Sequence, residues 1–169
     1  HIMTAVNVQI GAVSAGTIKS ITLKGVYDKG TYNVNTNKWT VDTSSKADYS
    51  VKFAGGDSFT TTGTQTSGTP INADNATFMF IPQEPGAGAV MEIVFNNGNK
   101  TETLTGKIEG DIWDKGKTVN YKLSIDKNFT LKVEPDPTAK KLDAHYIITD
   151  VYVTVAGNIS NWKIEGSAD

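Results

Sequence analysis

Residues 110–125 read GDIWDKGKTVNYKLSI, and two readings of this stretch lead to different proteins. In one, Trp113 is an exposed platform for a sugar ring, bracketed by Asp111 and Asp114. In the other, Asp114-Lys115-Gly116-Lys117 is a turn and Val119, Tyr121, Leu123 and Ile125 form one alternating face of the strand that follows. Period two places every second side chain on the same side of a sheet, so those four apolar residues define a buried face. On this reading Trp113 ends the preceding strand of a hairpin and covers the core. Large aromatics are mostly buried on average, which favours the second reading.

The same alternation recurs on both sides of the stretch. TAVNVQI sets Val6, Val8 and Ile10 on one face, ADYSVKF sets Tyr49, Val51 and Phe53, NFTLKV sets Phe129, Leu131 and Val133, and DVYVTV sets Val151, Val153 and Val155. Between such runs lie YDKG, NVNTNK, AGGD, TSGTP, EPGAGA, NNGNK and AGNISN, rich in the residues that tolerate positive φ or fix a turn. No window keeps a 3.6-residue period. About a dozen short strands between polar turns predict an all-β, antiparallel sandwich rather than a barrel. The Thr-, Gly- and Ser-rich interval 55–76 reads as a loop or a ragged edge hairpin. Pro135 and Pro137 should interrupt any strand near 126–137. The expected division is 1–3 as the remnant of an expression tag, 4–126 as the sandwich, and 127–169 as further strands of it or the start of another module.

Composition narrows the chemistry. The chain has 38% hydrophobic and 20% charged residues, as in a packed globular domain. No apolar run approaches the ~18 residues of a membrane-spanning helix. All 16 basic residues are Lys, and they are scattered. Arg is the side chain that grips phosphate and carboxylate with two parallel hydrogen bonds, so its absence argues against nucleic acid as a partner. With no Cys there is no disulfide frame, thiolate metal site or Cys nucleophile. His145 has only His1 for company, so it reads as a partly buried strand-end imidazole rather than a zinc ligand or catalytic base. The Asp111/Asp114 pair flanks a turn expected to be solvated, and the sequence points to no apolar pocket that would raise an acid's pKa as glycoside hydrolysis requires. Neither DKGKT nor DNAT carries the alternating oxygens of a calcium loop. Sequons at Asn75, Asn99, Asn128 and Asn158 are expected by chance in a chain so rich in Asn and Thr. No catalytic motif and no cofactor site emerges.

Three ordered features carry a resemblance. IKSITLKGVYDKGTYNVNTNKW (18–39) closes on Trp39, TFMFIPQ (77–83) ends in Ile-Pro-Gln before a glycine-rich turn, and Trp113, Gly116 and Tyr121 form a W-x-x-G-x-x-x-x-Y pattern. Over roughly residues 5–126 the chain resembles the fimbrillin-like proteins of Bacteroidetes, the subunits and accessory components of type V pili and related surface lipoproteins. Family members often have an aromatic where this chain has Val119, a β-former that serves the same face. The resemblance implies a transthyretin-like (Greek-key-type) β-sandwich with extra C-terminal strands, export to the cell surface or outer membrane, and assembly by strand exchange. In type V pilins an arginine-specific protease removes an N-terminal strand and a neighbour's strand fills the groove. This chain has no Arg, so such a cleavage site would lie upstream of Thr4.

The expected function is therefore that of a non-enzymatic structural or adhesive component of a fimbrium. Its expected partners are other subunits, copies of itself, or surface glycans and proteins of a host or bacterium. Strands 4–13 and 144–155 are the segments expected to offer an exchanged edge. The alternative is a carbohydrate-binding module with Trp39, Trp113 and Trp162 as stacking residues.

Overall fold

The computed structural model describes residues 1–136, 146–148 and 152–156. His145, Trp162 and Asn158 lie outside them. Among the described residues the strands are β1 (Thr4–Val13), β2 (Gly16–Tyr27), β3 (Lys29–Asn33), β4 (Lys38–Val41), β5 (Lys46–Ser50), β6 (Phe59–Thr61), β7 (Thr77–Phe80), β8 (Val90–Asn96), β9 (Thr101–Lys107), β10 (Thr118–Ile125), β11 (Leu131–Asp136), β12 (Tyr146–Ile148) and β13 (Tyr152–Ala156). They form an all-β sandwich. One sheet runs β11-β10-β1-β7-β12, the other β5-β2-β8-β9 with β6 also paired to β2, and a small third sheet runs β13-β3-β4.

The alternating residues meet between the two large sheets. Val6, Val8 and Ile10 of β1 and Tyr121, Leu123 and Ile125 of β10 share one core with Ile21 and Leu23 of β2 and Met91, Ile93 and Phe95 of β8. Burying each such aliphatic side chain is worth about 1.5–3 kcal/mol, and this is the main force holding the sheets face to face. A second cluster forms on the opposite face of β1 and β7, where Met3, Ala5, Met79 and Ile81 meet Trp39 and Val41 of β4. At this end the first sheet is covered on both faces. Ile2 packs against the same cluster, so the tripeptide expected as a tag remnant takes part in the fold.

Several expectations about the strands need correction. The stretch 110–125 is not a hairpin: β10 pairs in parallel with β1 and antiparallel with β11, whereas Trp113 makes only an isolated bridge to Gln83. The chain is crossing from the second sheet to the first at this point, so the turn at 114–117 joins a loop to a strand. Pro135 lies within β11 opposite Tyr121. β11 is an edge strand, where a missing N–H can face outward.

Strand 4–13, expected to offer an edge, is interior. β10 flanks it along one side, and β7 pairs with its first residues on the other. The 55–76 interval completes that second side: Ile71 N–H donates to Val8 O at 2.9 Å and Ile10 N–H to Thr69 O at 2.8 Å. Residues 146–148 and 152–156 form two separate strands, paired in parallel with β7 and β3.

Simple alternation also fails along β1 itself. Its pairing with β10 shifts register between Ile10 and Val13, so both residues reach the core although they are an odd number apart. Gly11 makes the shift possible. A Cβ there would lie 2.5 Å from Ser124 Oγ and 2.9 Å from Leu123 O, and Ser124 Oγ accepts the Ala12 N–H at 3.0 Å. Gly11→Ala should therefore destabilise the chain by about 1–3 kcal/mol, the usual cost of overpacking, whereas Thr103→Ala on the open face of β9 should change stability by less than about 0.5 kcal/mol. Urea denaturation of the two variants checks the contrast.

Candidate functional site

The site is built where the sheet-to-sheet crossover meets the end of β7 and the start of β1. Trp113 and Gln83 exchange backbone hydrogen bonds of 2.9 and 3.0 Å. The buried Gln83 side chain then clamps the end of β2: its Nε2–H donates to Tyr27 O at 2.9 Å, and its Oε1 accepts Tyr27 N–H at 2.9 Å. From the other side, Thr4 Oγ1–H donates to Asp114 O at 2.7 Å and Gly116 N–H to Met3 O at 2.8 Å. Gly116 sits at φ +71° inside the 114–117 turn, a conformation that glycine adopts without strain.

These bonds hold Trp113 inward. Its indole is 1% exposed, with its ring centroid 5.1 Å from that of Phe80. Trp113 Nε1–H donates to Tyr121 Oη at 2.8 Å, and Tyr121 Oη–H donates in turn to Asp111 Oδ2 at 2.7 Å. Burial pushes the Asp111 carboxyl above its usual range, against the opposing pull of the Tyr121 hydrogen bond. Burial likewise raises the Tyr121 phenol. The acid that seemed to guard a sugar platform instead ends a structural hydrogen-bond chain, and the indole offers no open face for stacking.

Trp39, also expected as a stacking residue, stands on the other side of the crossover. It is half-buried on β4, its Nε1–H donates to Ile2 O at 2.6 Å, and its ring centroid lies 5.3 Å from that of Tyr32. Beside it opens a cleft of about 400 Å³, walled by the β3–β4 turn, by residues 82–84 and by the 112–115 loop. The fold thus brings Trp39 and Trp113 to one place, with Trp113 in the floor and Trp39 in the wall. Ile112, 64% exposed, lines it too. Lys115 Nζ–H donates to Asn37 O at 2.9 Å and its ammonium stands 5.9 Å from the Tyr32 ring centroid, fixing one side of the opening. Lys38, Glu84 and Asp114 make no side-chain bond to the described residues. Sequence reasoning had singled out neither Ile112 nor Glu84 for the site, and the available signal was weak: Ile112 is an apolar residue next to the turn, out of phase with the core face.

A smaller recess of about 170 Å³ lies against Asn7, Asn72 and Thr77. These three side chains are spent on the fold: Thr77 Oγ1–H donates to Asn7 Oδ1 at 2.7 Å, and Asn72 Oδ1 accepts Val8 N–H at 3.1 Å. Among the described residues no three His, Asp or Glu side chains gather as a metal site.

The family model described as fimbrillin-like matches residues 1–162 of the chain. The crystal structure of a candidate cell adhesion protein from Bacteroides ovatus ATCC 8483 is similar, with a TM-score of 0.53 at 15% identity, over 85% of this chain and 46% of that one. At such identity the likeness is one of fold, and this chain spans less than half of that protein's length. No curated protein matches.

Tyr121→Phe should leave the Trp113 N–H buried without its acceptor, at a cost of about 1–3 kcal/mol in urea denaturation. The raised Asp111 pKa has a pH signature. In the interval between its unfolded and folded values the folded state holds a proton that the unfolded state has lost, so this group's contribution to stability falls as pH rises through that interval. Asp111→Asn should remove this component, so the difference in urea midpoint between variant and wild type should change as pH rises through and above the ordinary carboxylate range. Parallel profiles would contradict it.

Proposed function

The chain belongs to the fimbrillin-like family, and we propose that it is a non-enzymatic structural or adhesive component at the surface of a bacterial cell, joined to neighbouring subunits or to copies of itself by β-strand complementation. The observation that carries this reading is the position of β1. It is the first of the described strands, lies between β10 and β7, and supplies Val6, Val8 and Ile10 to the main core. If it swung out uncleaved, since no Arg follows it in the chain, the sheet would keep a slot with unpaired main-chain groups on both sides and apolar pockets beneath. An incoming strand with apolar residues at alternate positions would restore both sets of contacts. The parallel register with β10 sets the direction from which a like-for-like replacement would enter.

Export to the outer membrane or to a fimbrium belongs to the same reading. Family membership and the fold shared with a candidate adhesion protein support it. Surface fractions of cells that express the full-length protein test it. Immunogold labelling should place the protein on the cell exterior, and extracts run without heating should give an SDS-resistant ladder that collapses to monomer on boiling. Interior labelling would overturn the surface role, and a monomer without a ladder would overturn complementation.

A further inference from the structure

The cleft beside Trp39 carries chemistry that a structural role leaves unassigned. It is a shallow depression, largely open to solvent, with a volume of about 400 Å³, enough to seat one face of a small ring. The Trp39 indole is fixed through its Nε1–H bond to Ile2 O and by its contact with Tyr32, so its orientation is set before any ligand arrives. Ile112 is the one large hydrophobic side chain that stands exposed among the described residues, and it borders this same cleft.

The polar groups around these apolar surfaces select the ligand. Two lysines, Lys38 and Lys115, and two acids, Glu84 and Asp114, line the cleft, so the formal charges cancel and neither an anion nor a cation is favoured. Lys115 is already engaged with Asn37 O. Glu84 and Asp114 have acceptor oxygens to spare, and such acceptors suit a neutral molecule rich in hydroxyl donors. An apolar surface next to carboxylate acceptors matches a pyranose, which presents C–H groups on one face and hydroxyls at its edge.

We propose that this cleft binds a neutral pyranose residue, with Trp39 and Ile112 against its C–H face and Glu84 and Asp114 accepting hydrogen bonds from its hydroxyls. The proposal rests on the adhesive reading above and names the class of partner. Trp113 takes part only as floor, because its indole is enclosed in the core.

The test is an NMR titration of the isotope-labelled full chain with the methyl glycosides of glucose, galactose, mannose and N-acetylglucosamine, and with a methyl sialoside as the charged counterpart. Ligand is taken to roughly 10 mM, enough to approach saturation for a Kd near 1 mM. Saturable shifts of the amides at 37–39, 83–84 and 112–115 with at least one neutral glycoside, and weaker ones with the sialoside, are expected. Trp39→Ala also loses the tie to Ile2 and could loosen the fold, so the diagnostic variants are Ile112→Ser and Glu84→Gln at exposed positions. Each should weaken binding about tenfold or more while the remaining amide spectrum stays unchanged. Absence of shifts with every neutral glycoside, shifts confined to another surface, or tighter binding of the sialoside would overturn the proposal. Cell-surface labelling would stand in each of those cases, so the two readings fail separately.

Discussion

Trp113 joins parts of the sandwich that the chain itself connects only through long excursions. Its backbone bridges to Gln83 after β7, its ring packs on Phe80, and its N–H reaches Tyr121 on β10. The loop that carries it is tied to the start of β1 through Thr4 and Gly116. A buried indole N–H must find an acceptor or lose about 1–3 kcal/mol, so this one bond constrains where the crossover can run and how β10 is aligned beneath it. The acceptor is a phenol that in turn needs a partner, which accounts for the inward carboxyl of Asp111. A residue type that suggests sugar stacking in sequence is here committed to closing a core.

The same crossover shapes the surface. Once Trp113 turns inward, its neighbours Ile112 and Asp114 turn outward, because successive residues of an extended chain point to opposite sides. The third sheet brings Trp39 up to meet them, and the second hydrophobic cluster fixes that sheet against β1 and β7. Structure and surface chemistry therefore share one cause: the cleft is the outer side of the segment whose inner side seals the sandwich.

Local irregularity matters as much as periodicity. β2 contributes Ile18, Ile21, Leu23 and Val26 to the core, and no strict period of two links all four. Its register slips against β8 between Ile18 and Ser20 and against β5 between Leu23 and Val26. Gly25, at φ +73°, sits in the second slip, and its N–H is held by Asp48 Oδ1 at 2.9 Å. Each bulge returns a side chain to the core that plain alternation would send to solvent, and increases the local twist.

Sequence by itself determined the class of fold and much of the core. Val6, Val8 and Ile10, like Tyr121, Leu123 and Ile125, are buried as their alternation requires, because side-chain parity is a local property of an extended chain. The 114–117 turn was legible for the same reason, since Gly116 supplies the positive φ that the turn uses. Only the tertiary structure decided that β1 lies in parallel beside β10, that Pro135 lies in an edge strand, and that Trp113 and Trp39 meet on opposite sides of one crossover. Those outcomes depend on pairing between segments distant in the chain, where many registers satisfy the same alternation. The choice among them is made by packing, by bulges such as the one at Gly11, and by the need of each buried N–H for a partner.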